Sequence, residues 1–230
     1  MKIEVLTDAD AVAQRAAEMI ASAARAAVAA RDVFTFAVSG GRTPWQMLRA
    51  LSGLALPWNR LHIFQVDERV APNGDPDRNL THIDDSLLAH VPLPAANVHA
   101  MPVEIPQLDA AAAGYAEVLA TVAGSPPVLD LVHLGLGLDG HTASLVPDDP
   151  VLEDSTATVA MTAPYQGRRR MTLTFPVLDR ARCVLWVVTG VEKSTMLARL
   201  VRGDPTIPAG RVNGKNARIL ADAASADGLR

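Results

Sequence analysis

Hydrophobic and polar positions follow two periods along this chain. Residues 34–38, 61–66, 129–134 and 183–189 are short apolar runs bounded by polar or glycine-rich segments, the pattern of buried strands. Between them apolar positions recur at helical spacing. Over 8–31 the residues Val12, Ala16, Met19, Ile20, Ala23 and Ala27 share one face, and Asp8 is placed to cap the first turn. Further helices are predicted from Thr43 to about Leu51, near 78–90, over 107–123 and over 191–202. Thr43 is the expected N-cap of the first of these and Pro44 its first helical residue. Residues 3–6 form a short apolar run, 156–162 and 170–175 read as strands able to pair, and a last strand near 217–220 precedes a polar tail.

Strands alternating with helices define the α/β class, with a mostly parallel sheet of about six strands and helices on both faces. No repeat or low-complexity linker divides the 230 residues, so one domain is expected over 1–230. In such sheets ligands bind beyond the carboxyl ends of the strands. Three polar segments, 39–44, 67–69 and 135–142, follow directly on predicted strands and would open onto that same edge.

Composition narrows the class. Hydrophobic residues make up 49%, but 39 are alanine and only 4% of residues are aromatic, so much of the apolar content is small helix-forming side chain. A charged fraction of 20% and a mean hydropathy of +0.16 exclude a disordered chain. The net charge of −4 and pI of about 5.8 argue against a nucleic-acid partner. A single cysteine, Cys183, excludes an intramolecular disulfide and a cysteine-rich zinc site. Within its apolar run it is expected as a buried core thiol. The first ten residues lack the apolar stretch of a signal peptide, and Arg15, Glu18, Arg25 and Arg31 interrupt the alanine-rich stretch that comes nearest to a membrane span. A soluble cytoplasmic protein with no membrane partner is expected.

The strand-end segments carry the candidate chemistry. In 39–44, Ser-Gly-Gly-Arg-Thr-Pro, glycines and a helix N-terminus suit a phosphate, and Arg42 with the Ser39 and Thr43 hydroxyls favours that over a plain tight turn. Residues 37–41 also approximate a nucleophile elbow, and Ser39, Asp67 and His141 fall in the chain order of α/β-hydrolase triads. Ala37 replaces the first glycine of that motif, and too few strands precede it, so this is the weaker reading. Residues 135–140 match Gly-x-Gly-x-x-Gly, but Pro147 interrupts any following helix and no acidic residue closes a later strand as a dinucleotide site requires. Asp139 and His141 instead place a carboxylate and an imidazole on one tight loop, suited to general-base chemistry.

Asp67, Glu68 and Arg69 cluster at another strand end, and Arg168, Arg169 and Arg170 open a strand, where an arginine can face the same cleft. Lys193 is one of three lysines against 18 arginines and begins a helix after Gly190, where a cation is unfavourable unless an anion lies beside it. His62, His82, His90, His99 and His133 show no ligand spacing, and no metal site is expected.

Taken together, the motifs at 39–44, 66–70, 134–150, 169–178 and 189–193, with Asn79, resemble the 6-phosphogluconolactonase family from about residue 34 to 222. The resemblance implies a Rossmann-like fold shared with phosphosugar isomerases and deaminases. It also implies hydrolysis of 6-phosphogluconolactone to 6-phosphogluconate in the oxidative pentose phosphate pathway, without a cofactor, by a monomer or small homo-oligomer. Carried over by residue, it makes His141 the base that activates water and Asp139 the residue that orients it. Ser39, Gly40, Gly41, Arg42, Thr43, Arg69, Arg170 and Lys193 then become phosphate and sugar contacts, with Ser39 a binding residue only. Position 42 is more often a small hydroxyl residue in that family. The deaminase branch differs by a glutamate five residues after the histidine, where this chain has Val146, and by an aromatic after the strand-end Asp-Glu, where it has Arg69. A non-catalytic sugar-phosphate sensor on the same fold would not need His141.

Overall fold

The computed structural model describes residues 1–229, apart from the side chain of Arg42. Among the described residues ten strands and seven α-helices follow one another in the order β1 (Lys2–Leu6), α1 (Ala9–Arg31), β2 (Phe34–Val38), α2 (Arg42–Ser52), β3 (Leu61–Gln65), β4 (Asp67–Arg69), α3 (Asn79–Ser86), β5 (Val98–His99), α4 (Leu108–Ala123), β6 (Leu131–Leu134), β7 (Val159–Met161), β8 (Arg170–Leu173), α5 (Phe175–Arg180), β9 (Val184–Val188), α6 (Ser194–Val201), α7 (Pro208–Arg211) and β10 (Ala217–Asp222). Seven strands form one sheet in the order β1-β10-β9-β6-β2-β3-β5, every neighbouring pair parallel.

Alternation along each strand divides the apolar side chains between two cores. Phe34, Phe36, Leu131, Leu185 and Val187 meet α1, α2 and α3 on one face. Ala37, Val132, Leu134, Trp186 and Val188 meet α4, α5 and α6 on the other. Because both faces are covered, the strands read as continuous apolar runs rather than as alternating ones. Asp8 caps α1 as expected, accepting from the Ala11 N–H at 2.8 Å.

Several expectations need correction. The parallel sheet has seven strands, not about six: 3–6 belongs to the edge strand β1 beside β10, and the two residues of β5 extend the other edge. Asp67–Arg69, expected as a polar segment at the end of a strand, is itself a short strand. It pairs antiparallel with β8, which pairs with β7, so the strands at 159–161 and 170–173 form a separate small sheet. Val66 makes the transition, donating to the Val38 carbonyl at 3.0 Å and accepting from the Leu173 N–H at 2.8 Å. Thr43 is not the cap of α2: the helix begins two residues earlier, at Arg42 behind Gly41, and has no side-chain cap. The segment at 78–90 is a shorter helix followed by a 3-10 turn, and Val191–Lys193 is likewise 3-10 before α6. Cys183 is half-buried just before β9 rather than a core thiol. Among the described residues, no helix is long and apolar enough to cross a membrane.

The chain reaches β3 from β2 on one side and β9 from β6 on the other. The crevice between the carboxyl ends of β2 and β6 is therefore a topological switch point, where such sheets bind ligands.

Candidate active site

A cleft of about 370 Å³ opens at that crevice. Ser39, Gly40 and Gly41 after β2, Asp67 and Arg69 of β4, and Gly135, Gly137, Asp139 and His141 after β6 all line it. Asn79, Tyr165, Gln166, Arg170 and Lys193 complete its wall. The three strand-end segments thus converge as their positions in the sequence predict.

The loop after β6 builds a carboxylate–imidazole pair. Asp139 Oδ1 lies 2.6 Å from His141 Nδ1 and accepts the His141 backbone N–H at 3.1 Å. Tyr165 donates its hydroxyl to the other carboxylate oxygen at 2.9 Å. The His141 hydrogen bond, opposed by partial burial, holds the Asp139 carboxyl well below the usual carboxylate range. With Nδ1 engaged, Nε2 is the ring nitrogen left to exchange a proton. Gly137 makes this pair possible: a Cβ there would lie 2.1 Å from His141 Nδ1 and 2.7 Å from Asp139 Oδ1. The loop is closed by hydrogen bonds from the Gly137 N–H to the His141 carbonyl and from the Gly140 N–H to the Gly137 carbonyl. Among the described residues no α-helix starts at this loop, and only the 3-10 turn Pro150–Glu153 lies between it and β7, which removes the dinucleotide reading.

Cations face this pair across the cleft. Arg170 is buried, donates to Gln166 Oε1 at 3.2 Å and stacks over the Tyr165 ring with Cζ 4.9 Å from the centroid. Its Nε, like that of Arg69, is buried without a partner. Burial lowers the pKa of Arg170 and that of Lys193. Arg69 is held from behind by the Asp77 carbonyl at 2.8 Å and Asn79 Oδ1 at 2.7 Å. Asn79 packs so closely that a Cβ on Gly40 would fall 1.8 Å from its Oδ1. Fully buried Glu68 accepts the Asn79 and Leu80 N–H groups at 2.8 and 2.9 Å and pairs with buried Arg78 at 3.0 Å, anchoring the start of α3. The uncapped start of α2 leaves N–H donors at the same rim.

Arg168 and Arg169 turn elsewhere, Arg168 to Asp77 at 2.9 Å and Arg169 to the Thr162 carbonyl at 3.3 Å, so Arg170 is the member of the triplet in the cleft. Thr43 does not line the cleft; its hydroxyl meets that of Thr189 at 2.7 Å. The Arg42 side chain lies outside the described residues. Ser39 Oγ meets Asp67 Oδ1 at 3.5 Å, and the Ser39 backbone N–H donates to Nδ1 of buried His133 at 3.4 Å. His141 Nδ1 pairs with Asp139 and not with Asp67, so the Ser39, Asp67, His141 order does not form a hydrolase triad.

Tyr165 and Gln166 carry no signal in the sequence. They reach the cleft because Tyr165 and Arg168 pair across a tight turn with Gln166 and Gly167 both at positive φ, the hairpin geometry of primed turns. A Gln-Gly pair in a polar stretch does not announce that geometry.

Comparison with known proteins agrees with this architecture. The profile of the family of glucosamine-6-phosphate isomerases/6-phosphogluconolactonase matches residues 7–221. The chain is 38% identical over 234 residues to the 6-phosphogluconolactonase of Mycobacterium tuberculosis, covering 96% of this chain and 95% of that protein. It is 37% identical over 205 residues to that of Synechocystis, covering 86% and 84%. The crystal structure of the 6-phosphogluconolactonase of Thermotoga maritima superposes with a TM-score of 0.86 at 29% identity, covering 96% of this chain and 98% of that one.

Proposed function

We propose that this chain, which belongs to the family of glucosamine-6-phosphate isomerases and 6-phosphogluconolactonases, hydrolyses 6-phospho-D-glucono-1,5-lactone to 6-phospho-D-gluconate. One observation carries the reading: the His141–Asp139 pair and the buried Arg170 guanidinium line the same cleft, so a phosphate held on one side presents a ring carbonyl to the other. Val146 supports the lactonase over the deaminase branch. It is a buried hydrocarbon where ring opening would call for a carboxylate.

The mechanism follows from the groups present. Neutral His141 takes a proton from water at Nε2 as the oxygen attacks the lactone carbonyl. Asp139, on Nδ1, fixes the tautomer and stabilises the imidazolium. Backbone N–H groups of the glycine-rich loops donate to the carbonyl oxygen as its charge develops. As the tetrahedral intermediate collapses, the imidazolium returns its proton to the departing ring oxygen. Arg69, Arg170 and Lys193, with the 39–41 loop, hold the phosphate and lower the entropic cost of alignment. No step needs a covalent intermediate, so Ser39 binds and does not attack. The reading places the chain in the oxidative pentose phosphate pathway of the cytoplasm, as one domain over 1–230.

The deciding experiment sets lactone hydrolysis, corrected for spontaneous ring opening, against ammonia release from glucosamine 6-phosphate. Hydrolysis without ammonia release is expected. The reverse result assigns the chain to the deaminase branch, and binding without either reaction makes it a sensor.

A further inference from the structure

Only two tyrosines occur in the chain. Tyr115 is buried beneath β3, whereas Tyr165 stands at the cleft between its two working parts. Its hydroxyl donates to Asp139 Oδ2 at 2.9 Å, its ring meets that of His141 edge-on at 5.7 Å, and the Arg170 guanidinium lies 4.9 Å from its centroid. Each Asp139 oxygen is thereby occupied, Oδ1 by the His141 Nδ1 and N–H and Oδ2 by Tyr165. A carboxylate bound at both oxygens cannot rotate away from the imidazole.

We propose that Tyr165 is a positioning residue for the reaction: its hydroxyl orients Asp139 and moderates its charge, while its ring supports Arg170. One side chain thus ties the proton-transfer pair to the phosphate arm. The inference rests on the reading of His141 as the proton acceptor. Two physical effects act through the phenol. Donation to Oδ2 draws negative potential away from His141, so the phenol lowers the basicity that Asp139 would otherwise confer. The ring face attracts the guanidinium and keeps it extended toward the cleft. Burial and the Asp139 hydrogen bond raise the phenol pKa, so it remains a donor through neutral pH. The primed turn at 166–167 anchors the tyrosine on a hairpin between β7 and β8, outside both cores. Replacing its side chain therefore leaves the fold intact.

Tyr165→Phe removes the hydroxyl and keeps the ring. Tyr165→Leu removes both. Thermal unfolding of each variant, the His141 titration midpoint by proton–nitrogen NMR, and kcat and KM as functions of pH separate the effects. In Tyr165→Phe the His141 midpoint rises by roughly half a pH unit. The acid limb of kcat moves with it, kcat falls roughly three- to tenfold, and KM and 6-phosphogluconate affinity stay at wild-type values. In Tyr165→Leu the same changes are joined by a KM roughly three- to tenfold higher. An unchanged or lowered midpoint in Tyr165→Phe overturns the proposal, as does a Tyr165→Leu variant with the KM of Tyr165→Phe. Because the NMR midpoint needs no turnover, the two readings part cleanly. A wild-type protein without lactonase activity but with a raised midpoint in Tyr165→Phe removes the catalytic reading and supports the Tyr165–Asp139 link. An active wild-type protein with no shift removes only the link.

Discussion

Arg69 and Arg170 are direct cross-strand partners on the antiparallel β4–β8 ladder, so two guanidinium groups leave the small sheet on one face, side by side. Like charges directly opposite destabilise a strand pair. Here both Nε groups are buried without partners at the wall of a cleft that also holds Lys193. A phosphate dianion bound there, as proposed, would compensate that arrangement.

Replacing Arg170 or Lys193 by alanine should therefore weaken 6-phosphogluconate binding by ~1.5–3 kcal/mol each, the contribution of a charge-assisted contact. Binding of unphosphorylated gluconate should barely change. Calorimetric titration of both ligands decides it, and equal losses for the two would make these residues supports of the fold.

His141→Asn should lose about 10²–10⁴-fold in kcat, the usual contribution of a general base, while 6-phosphogluconate still binds. Ser39→Ala should retain a substantial fraction of turnover. Mass spectrometry of the enzyme quenched during turnover should find no acyl adduct. Near-normal kcat in His141→Asn, or an ester on Ser39, would return the nucleophilic-serine mechanism.

Gly137→Ala tests how closely the dyad is packed. The added methyl overlaps His141 Nδ1, so the imidazole must move while the strands on either side need not. A kcat loss on the order of 10²-fold with a folded protein is expected, since a displacement of about an ångström costs that much. Unaltered kcat would mean that the hydrogen bond between Asp139 and His141 contributes nothing to turnover.

His133 makes stability depend on pH. Burial in the central strand pulls its pKa down to about 3. Below about 6.5 the unfolded chain binds a proton at this residue and the folded one does not until about pH 3. The unfolded state holds more protons across that window, so stability falls as pH falls. The slope from this one group is about 1.4 kcal/mol per pH unit. The contribution is complete above about pH 6.5. Denaturant unfolding from pH 7 to 4 should show a shallower slope in His133→Leu than in wild type. Parallel slopes would mean that the folded protein protonates His133 as readily as the unfolded chain does.

Periodicity alone was enough to read the class of the fold. Buried parallel strands need apolar residues on both faces, and the apolar runs at 34–38 and 184–188 meet that need with every residue buried. The strand-end position of Ser39, Asp67 and Asp139 was legible for the same reason, because a chain leaving such a sheet at its carboxyl edge must do so beside its neighbours. The small sheet was not legible. Asp67–Arg69 is too polar and too short to announce a strand, and it becomes one only because β8, a hundred residues later, lies alongside it. That pairing selects Arg170 from three consecutive arginines, because it alone lies within β8, opposite Arg69, whereas Arg168 closes the turn and is taken up by Asp75 and Asp77. Thr43 shows the converse. Its local sequence suits a helix cap, yet the helix starts behind Gly41 and the hydroxyl meets that of Thr189, just after β9. Local sequence thus set the elements and the loop that carries Asp139 and His141. Which cations, and which phenol, face that loop depends on contacts between distant segments, and tertiary packing alone decided them.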